Sequence, residues 1–112
     1  MAPTPKVVDN PDERRFEIHV GDELAGFSVY ELQDGGATYA FSHTETDERF
    51  QGQGLASILV KEALDQVKAK GAAVLPYCPF MRAWIRRHPA YVELVPERDR
   101  AYFKVDQPEQ PG

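Results

Sequence analysis

The segment Asp47-Glu48-Arg49-Phe50-Gln51-Gly52-Gln53-Gly54-Leu55-Ala56-Ser57 separates two different periodicities. Before it, Thr38 to Thr46 reads as a strand rich in aromatic and β-branched residues. After it, Leu55, Ile58, Leu59, Ala63, Leu64 and Val67 recur at helical spacing. The segment is therefore a loop that ends a strand and opens a long helix. Its two glycines let the backbone approach a ligand closely. The helix start adds unpaired N–H groups and the positive end of the dipole. A strand, a glycine loop and a helix in that order can hold a phosphate or pyrophosphate without a lysine.

Upstream, Phe16, Ile18 and Val20 alternate with Arg15, Glu17 and His19, the period of a half-buried strand. Gly21-Asp22-Glu23 turns the chain, and Gly26 to Leu32 reads as a second strand. Asp34-Gly35-Gly36 turns it again into the third. On that third strand, strict alternation puts Tyr39, Phe41, His43 and Glu45 on one face. Downstream, Lys68 and Lys70 suit the end of the helix and Gly71 stops it. Ala72 to Leu75 is a short buried-type strand. Phe80 to Arg87 reads as a shorter helix closed by His88-Pro89, and Tyr91 to Val95 and Ala101 to Val105 as final strands. The order β-β-β-α-β-α-β is α+β with a mixed, mostly antiparallel sheet.

Residues 1–13 and 106–112 hold five of the nine prolines and are expected to be mobile ends around a single domain at 14–105. A chain of 112 residues has room for one domain. No apolar run approaches the roughly 20 residues of a membrane span, and no secretory leader is expected. The single cysteine, Cys78, leaves no intramolecular disulfide, and with three scattered histidines no metal site is expected. A cytoplasmic protein, monomeric or weakly dimeric, fits these features. The net charge of −5 argues against a nucleic-acid binder. Residues 1–50 carry four basic and eleven acidic residues, whereas residues 51–112 carry nine and seven. An anionic ligand is therefore sought in the second half.

Three loop types compete for the glycine segment. A P-loop requires Gly-Lys-Ser/Thr, which does not occur. A dinucleotide fingerprint requires a third glycine where Ser57 stands, and a β-α-β start rather than a meander. Gln51-x-x-Gly54-x-Ala56 satisfies the third pattern, Gln-x-x-Gly-x-Ala. A glycine loop that merely starts a helix is the plain alternative.

That third pattern resembles the pyrophosphate motif of the GCN5-related N-acetyltransferases. With His43-Thr44-Glu45-Thr46, Gly71, Pro76-Tyr77-Cys78-Pro79-Phe80 and Arg87-His88-Pro89-Ala90-Tyr91, the stretch from Phe16 to Val95 looks like one branch of that superfamily. The branch comprises short, single-domain acetyltransferase-like proteins. The resemblance implies the fold in which two strands splay around acetyl-CoA. It implies that Thr44, Glu45 and Thr46 meet the pantetheine arm. Gln51, Gly52, Gln53, Gly54, Leu55, Ala56 and Ser57 would hold the pyrophosphate. It also implies acetyl transfer to an amine by direct attack. The tyrosine that commonly protonates the leaving thiolate is replaced by Ile85, and the asparagine seven residues before it by Cys78. A short connection, Gly21 to Gly26, stands where related proteins carry helices. An open acceptor site suited to a peptide or protein amine follows from that.

Cys78 is a candidate nucleophile or proton donor, or a small buried hydrophobe. His43 and Glu45 are candidate bases beside the acetyl group, His43 alternatively a core histidine. Arg82 and Arg86, with Arg87 and His88 next, read as a solvated basic face or as contacts to CoA phosphates or an acidic acceptor. A non-catalytic acetyl-CoA or CoA sensor or interaction module is the alternative to an enzyme, and the Ile85 replacement speaks for it.

Overall fold

The computed structural model describes residues 3–107. Five strands form one sheet in chain order: β1 Lys6–Asn10, β2 Arg15–Val20, β3 Glu23–Gln33, β4 Thr38–Thr46 and β5 Ala73–Pro76. The first four pair antiparallel and β5 runs parallel to β4. Helix α1, Leu55–Ala69, makes the crossover between β4 and β5, as a parallel pair requires. Helix α2, Pro79–Arg87, follows β5. No helix among the described residues is long and apolar enough to cross a membrane.

The core forms where the helical and strand periods meet. Leu55, Leu59, Val60, Ala63, Leu64 and Val67 form the buried stripe of α1, which packs against all five strands. Opposite them lie Phe16, Ile18, Tyr30, Tyr39 and Phe41. The rings of Phe16, Tyr30, Tyr39 and Phe41 pack with centroids 4.8 to 6.3 Å apart. Helix α1 ends at Gly71, φ +70°, where Gly71 N–H bonds the Lys68 carbonyl and Ala72 N–H that of Val67. That is the paired C-terminal closure that glycine permits.

Strand β1 lies inside the stretch 1–13 expected to be a mobile tail, and there the expectation is corrected. Its own side chains are only half-buried. All five of its residues pair with β2 across a short hairpin, and distant groups add to this: Tyr30 Oη donates to Asp9 at 2.6 Å, Lys70 Nζ to Asp9 at 3.4 Å, and Gln66 Nε2 to the Val7 carbonyl at 3.1 Å. The other tail expectation, 106–112, falls mostly on residues 108–112, outside the described residues.

The two final strands are also corrected. Pro89–Leu94 is a 3₁₀ segment, and Arg100–Phe103 is a short helix, α3. Tyr91 and Val95 donate their N–H groups to the carbonyls three residues back rather than to a ladder. Leu94, Val95, Phe103 and Val105 are buried, so the apolar residues were recognised but their period was misread.

Candidate cofactor cleft

Strand β4 is paired on both sides only as far as Phe41. Thr38–Phe41 match Ala73–Pro76 of β5, and Cys78 N–H reaches the Phe41 carbonyl at 2.9 Å. Strand β4 runs on to Thr46 while the chain after β5 turns away into α2. The two strands therefore part, and Ser42–Thr46 presents an edge that β5 does not cover.

The glycine loop sits at the open end of this fork. Gly52 and Gly54 adopt φ +83° and +70°, in the left-handed region. No atom lies within 4 Å of where their Cβ atoms would be, so conformation rather than crowding requires glycine. Gly54 is the N-cap of α1, and neither a capping side chain nor an acidic residue serves the first turn. The loop and helix start border a cleft of about 310 Å³. Its walls are Thr46, Gln51, Gly52, Gly54, Leu55, Ala56 and Ser57, with Phe50 and Phe80. Every expected loop residue except Gln53 lines it. Phe50, which opens the loop but is not among the expected cofactor-binding residues, also lines it.

The candidate catalytic residues are divided between the two faces of β4. Strict alternation would have put His43 and Glu45 beside Phe41, and this expectation is overturned. Val29 pairs with His43 but Tyr30 with Phe41, so Ser42 is an extra residue in β4. The bulge turns Thr44 inward and His43 and Glu45 outward. His43 Nε2 meets Glu45 Oε2 at 3.1 Å, with side chains 59% and 55% exposed. His43 is therefore not a core histidine. The His43 ring meets Phe27 edge-on, and the Arg15 guanidinium lies 4.5 Å above the Phe27 ring. Glu45 borders a second cavity of about 150 Å³ with Leu24, Ala25, Gly26, Phe27, Thr46 and Asp47. A Cβ on Gly26 would stand 2.7 Å from the Glu45 carbonyl oxygen, so glycine lets β3 close on β4 here.

Cys78 lies on the inward side. It is buried at the N-cap of α2, and Sγ donates to Thr44 Oγ1 at 3.5 Å. Thr44 Oγ1 lies 2.8 Å from Ser28 Oγ, and Ser28 is fully buried. A chain of three small polar groups thus crosses from β3 through β4 to the start of α2, at the point where the strands part. Ile85 is fully buried and carries no proton donor. Of the three catalytic candidates, His43 and Glu45 are brought together and Cys78 is not.

Arg49 sits between the two cavities. It pairs with Asp47 at 3.2 Å and with Glu23 at 3.3 Å, and lies over the Phe50 ring. The Arg49 backbone N–H and guanidinium, both bonded to Asp47, hold that carboxyl below its ordinary value. The aromatic residues near α2 take separate places: Trp84 is buried, stacked on His88, Phe80 faces the cleft and Tyr77 is half exposed.

No curated protein matches the chain. Among solved structures, Ard1 from Thermoplasma volcanium aligns at 22% identity and TM-score 0.47, covering 56% of this chain and 43% of its own. An acetyltransferase of Bacillus subtilis, solved in complex with CoA, aligns at 20% and 0.46, covering 66% and 63%. The chain thus spans less than two thirds of either. A model of the GCN5-related N-acetyl-transferases matches residues 15–94, a span that takes in the fork, the glycine loop and both main helices. The chain belongs to that family.

Proposed function

We propose that the protein is an N-acetyltransferase that uses acetyl-CoA and passes the acetyl group to an amine, of a peptide or protein, by direct attack. The observation that carries the reading is the uncapped start of α1 behind Gly52 and Gly54, opening on a cleft at the mouth of a strand fork. Backbone N–H groups and a helix dipole suit a pyrophosphate, and no cation is needed. The amides of Gln51–Ser57 are the proposed pyrophosphate cradle. The free edge of Thr44–Thr46 is the proposed pantetheine track. When bound, acetyl-CoA supplies the thioester.

The remaining steps belong to protons. The acceptor amine must lose one, and Glu45, supported by His43, faces a cavity on the open side of β4 where an amine can enter. Cys78, at the end of the fork, is the candidate donor to the leaving thiolate, with Thr44 as its partner. Attack from the open face would leave the thiol on the far side of β4, which matches the division of the two groups.

Ile85 supports a second reading, a CoA-binding module without catalysis. Calorimetric titration with acetyl-CoA and with CoA, on wild type and Gly54→Glu, tests the shared part. Micromolar binding lost in the variant supports it, and no heat from folded wild type overturns it. Release of CoA in the presence of amine acceptors then separates enzyme from module.

A further inference from the structure

Strand β3 carries an irregularity of its own. Ile18 pairs with Gly26 but His19 with Leu24, so Ala25 is an extra residue in β3. Phe27 pairs with Glu17 on one side and Glu45 on the other, so its ring shares their face of the sheet. Together these residues shape the cavity of about 150 Å³ that Glu45 borders. Its apolar walls are Leu24, Ala25 and Phe27. Ala25 is fully buried and lies deepest, whereas Leu24 is 37% exposed and stands at the lip. Two carboxylates also border it. The Arg49 guanidinium bonds both oxygens of Asp47, at 3.2 and 3.3 Å, which leaves Glu45 to receive an ammonium group. The Glu45 side chain is 55% exposed, so its carboxylate lies at the mouth and not at the floor. Thr46 lines both this cavity and the cofactor cleft, so the two adjoin through one residue.

We propose that this cavity selects the acceptor, and that the acceptor is the free α-amine of a polypeptide whose first side chain is large and apolar. The order of groups carries the inference: a carboxylate at the mouth and an apolar interior. A ligand that fits must hold its ammonium at the rim and its apolar part inside. In an α-amine one carbon bears both the nitrogen and the side chain, so an amine at Glu45 sets the side chain between Leu24 and Phe27. A lysine side chain has the reverse order. Its ammonium leads, and would enter first and meet Ala25 and Phe27 without a partner. An open cavity of this volume has room for a group about the size of a benzene ring, so leucine or phenylalanine fills it and glycine leaves it wet. Leu24 is then the specificity-determining residue, with Phe27 as the opposite wall. One proton of the ammonium passes to Glu45 and on to water. The nitrogen then bonds the acetyl carbon and loses a second proton, the C–S bond breaks, and the sulfur leaves with one proton as CoA. This inference rests on the acetyltransferase reading above and names its acceptor.

The test follows CoA release and peptide acetylation by mass spectrometry, using the full chain, acetyl-CoA and peptides that differ only in their first residue: glycine, leucine or phenylalanine. A further peptide has a blocked N-terminus and one internal lysine. The leucine and phenylalanine peptides are expected to show kcat/KM roughly tenfold or more above the glycine peptide, the weight of one buried apolar side chain. The blocked lysine peptide should fall below all three. Leu24→Ser should shrink the leucine-to-glycine ratio severalfold, and because Leu24 is exposed, an unchanged melting temperature will show that folding is not the cause. Equal rates for the glycine and leucine peptides, a ratio that survives in Leu24→Ser, or a preference for the lysine peptide overturns the cavity's role and leaves the acetyltransferase reading standing. No acetylation of any peptide, by a protein that binds acetyl-CoA, overturns that reading and this inference together.

Discussion

Cys78 Sγ and Thr44 Oγ1 stand 3.5 Å apart across the point where β4 and β5 separate. The contact depends on the bulge at Ser42, since strict alternation would have turned Thr44 outward. If the thiol protonates the leaving group, Cys78→Ala should lower kcat by about 10²-fold, at the lower end of general acid contributions. The KM for acetyl-CoA should change little. Serine at the same position keeps a donor and should retain more turnover than alanine. Unchanged kcat in Cys78→Ala would make the cysteine a packing residue, and its stability cost, on the order of 1 kcal/mol for a small void, would be its whole effect.

Glu45 is separated from the cofactor cleft by the strand itself. Substituting it with glutamine should lower turnover by about 10²-fold or more while leaving CoA affinity within a factor of two or so. Steady-state kinetics paired with titration checks both halves. His43→Ala should have a smaller effect, because the histidine supports the carboxylate through one exposed contact at 3.1 Å. Equal turnover in the Glu45 variant removes it as the base.

Gly54 separates conformation from charge. Alanine there meets no neighbour, but it must hold a left-handed φ of +70°, which costs about 1 kcal/mol or somewhat more. Gly54→Ala should therefore lower Tm by several degrees and still bind acetyl-CoA. Gly54→Glu adds a carboxylate at the proposed pyrophosphate position and should weaken binding roughly tenfold or more beyond the alanine variant. Parallel thermal melts and titrations distinguish the two. Similar affinity in both variants would place the ligand elsewhere.

Much of the sheet and both main helices were legible because their periods are local. Phe16, Ile18 and the apolar stripe of α1 announce which face is buried, and the glycine loop announces where the two periods meet. Strand β1 was not legible, because Pro3, Pro5 and Pro11 around it read as a tail, while its ladder to β2 and the bonds from Tyr30, Lys70 and Gln66 appear only in the fold. The final turns were misread because Tyr91 and Val95 look like strand residues until their short-range hydrogen bonds are seen. At the site, the glycine loop was legible as the junction of the two periods, and its pyrophosphate role was implied only by the family resemblance. The partition of His43 and Glu45 from Cys78 was not legible, because a single extra residue at Ser42 reverses the alternation without any mark in the sequence.

Acid sensitivity should trace to the sheet face opposite α1. Glu17 is nearly buried there and takes hydrogen bonds from Arg15 at 2.7 Å, Asn10 at 3.0 Å and His19 at 3.0 Å. Burial alone would raise its pKa, but the bonds from Arg15, Asn10 and His19 outweigh it and hold the carboxyl below the ordinary glutamate value. The unfolded chain then binds its proton at a higher pH than the folded one. The stabilisation is complete above the ordinary glutamate pKa, about 4.3, and is lost as pH falls through the lower folded value. Asp65, held low against its own burial by Lys61 and Tyr91, acts with the same sign. Glu17→Gln should cost on the order of 1–3 kcal/mol at neutral pH, because Arg15 loses its carboxylate partner in a half-buried setting. Denaturant unfolding of both proteins across a pH series checks this. The wild-type advantage should be constant near neutrality and shrink steadily below about pH 4. An advantage that persists undiminished into strong acid would show that Glu17 acts through packing and not through its charge.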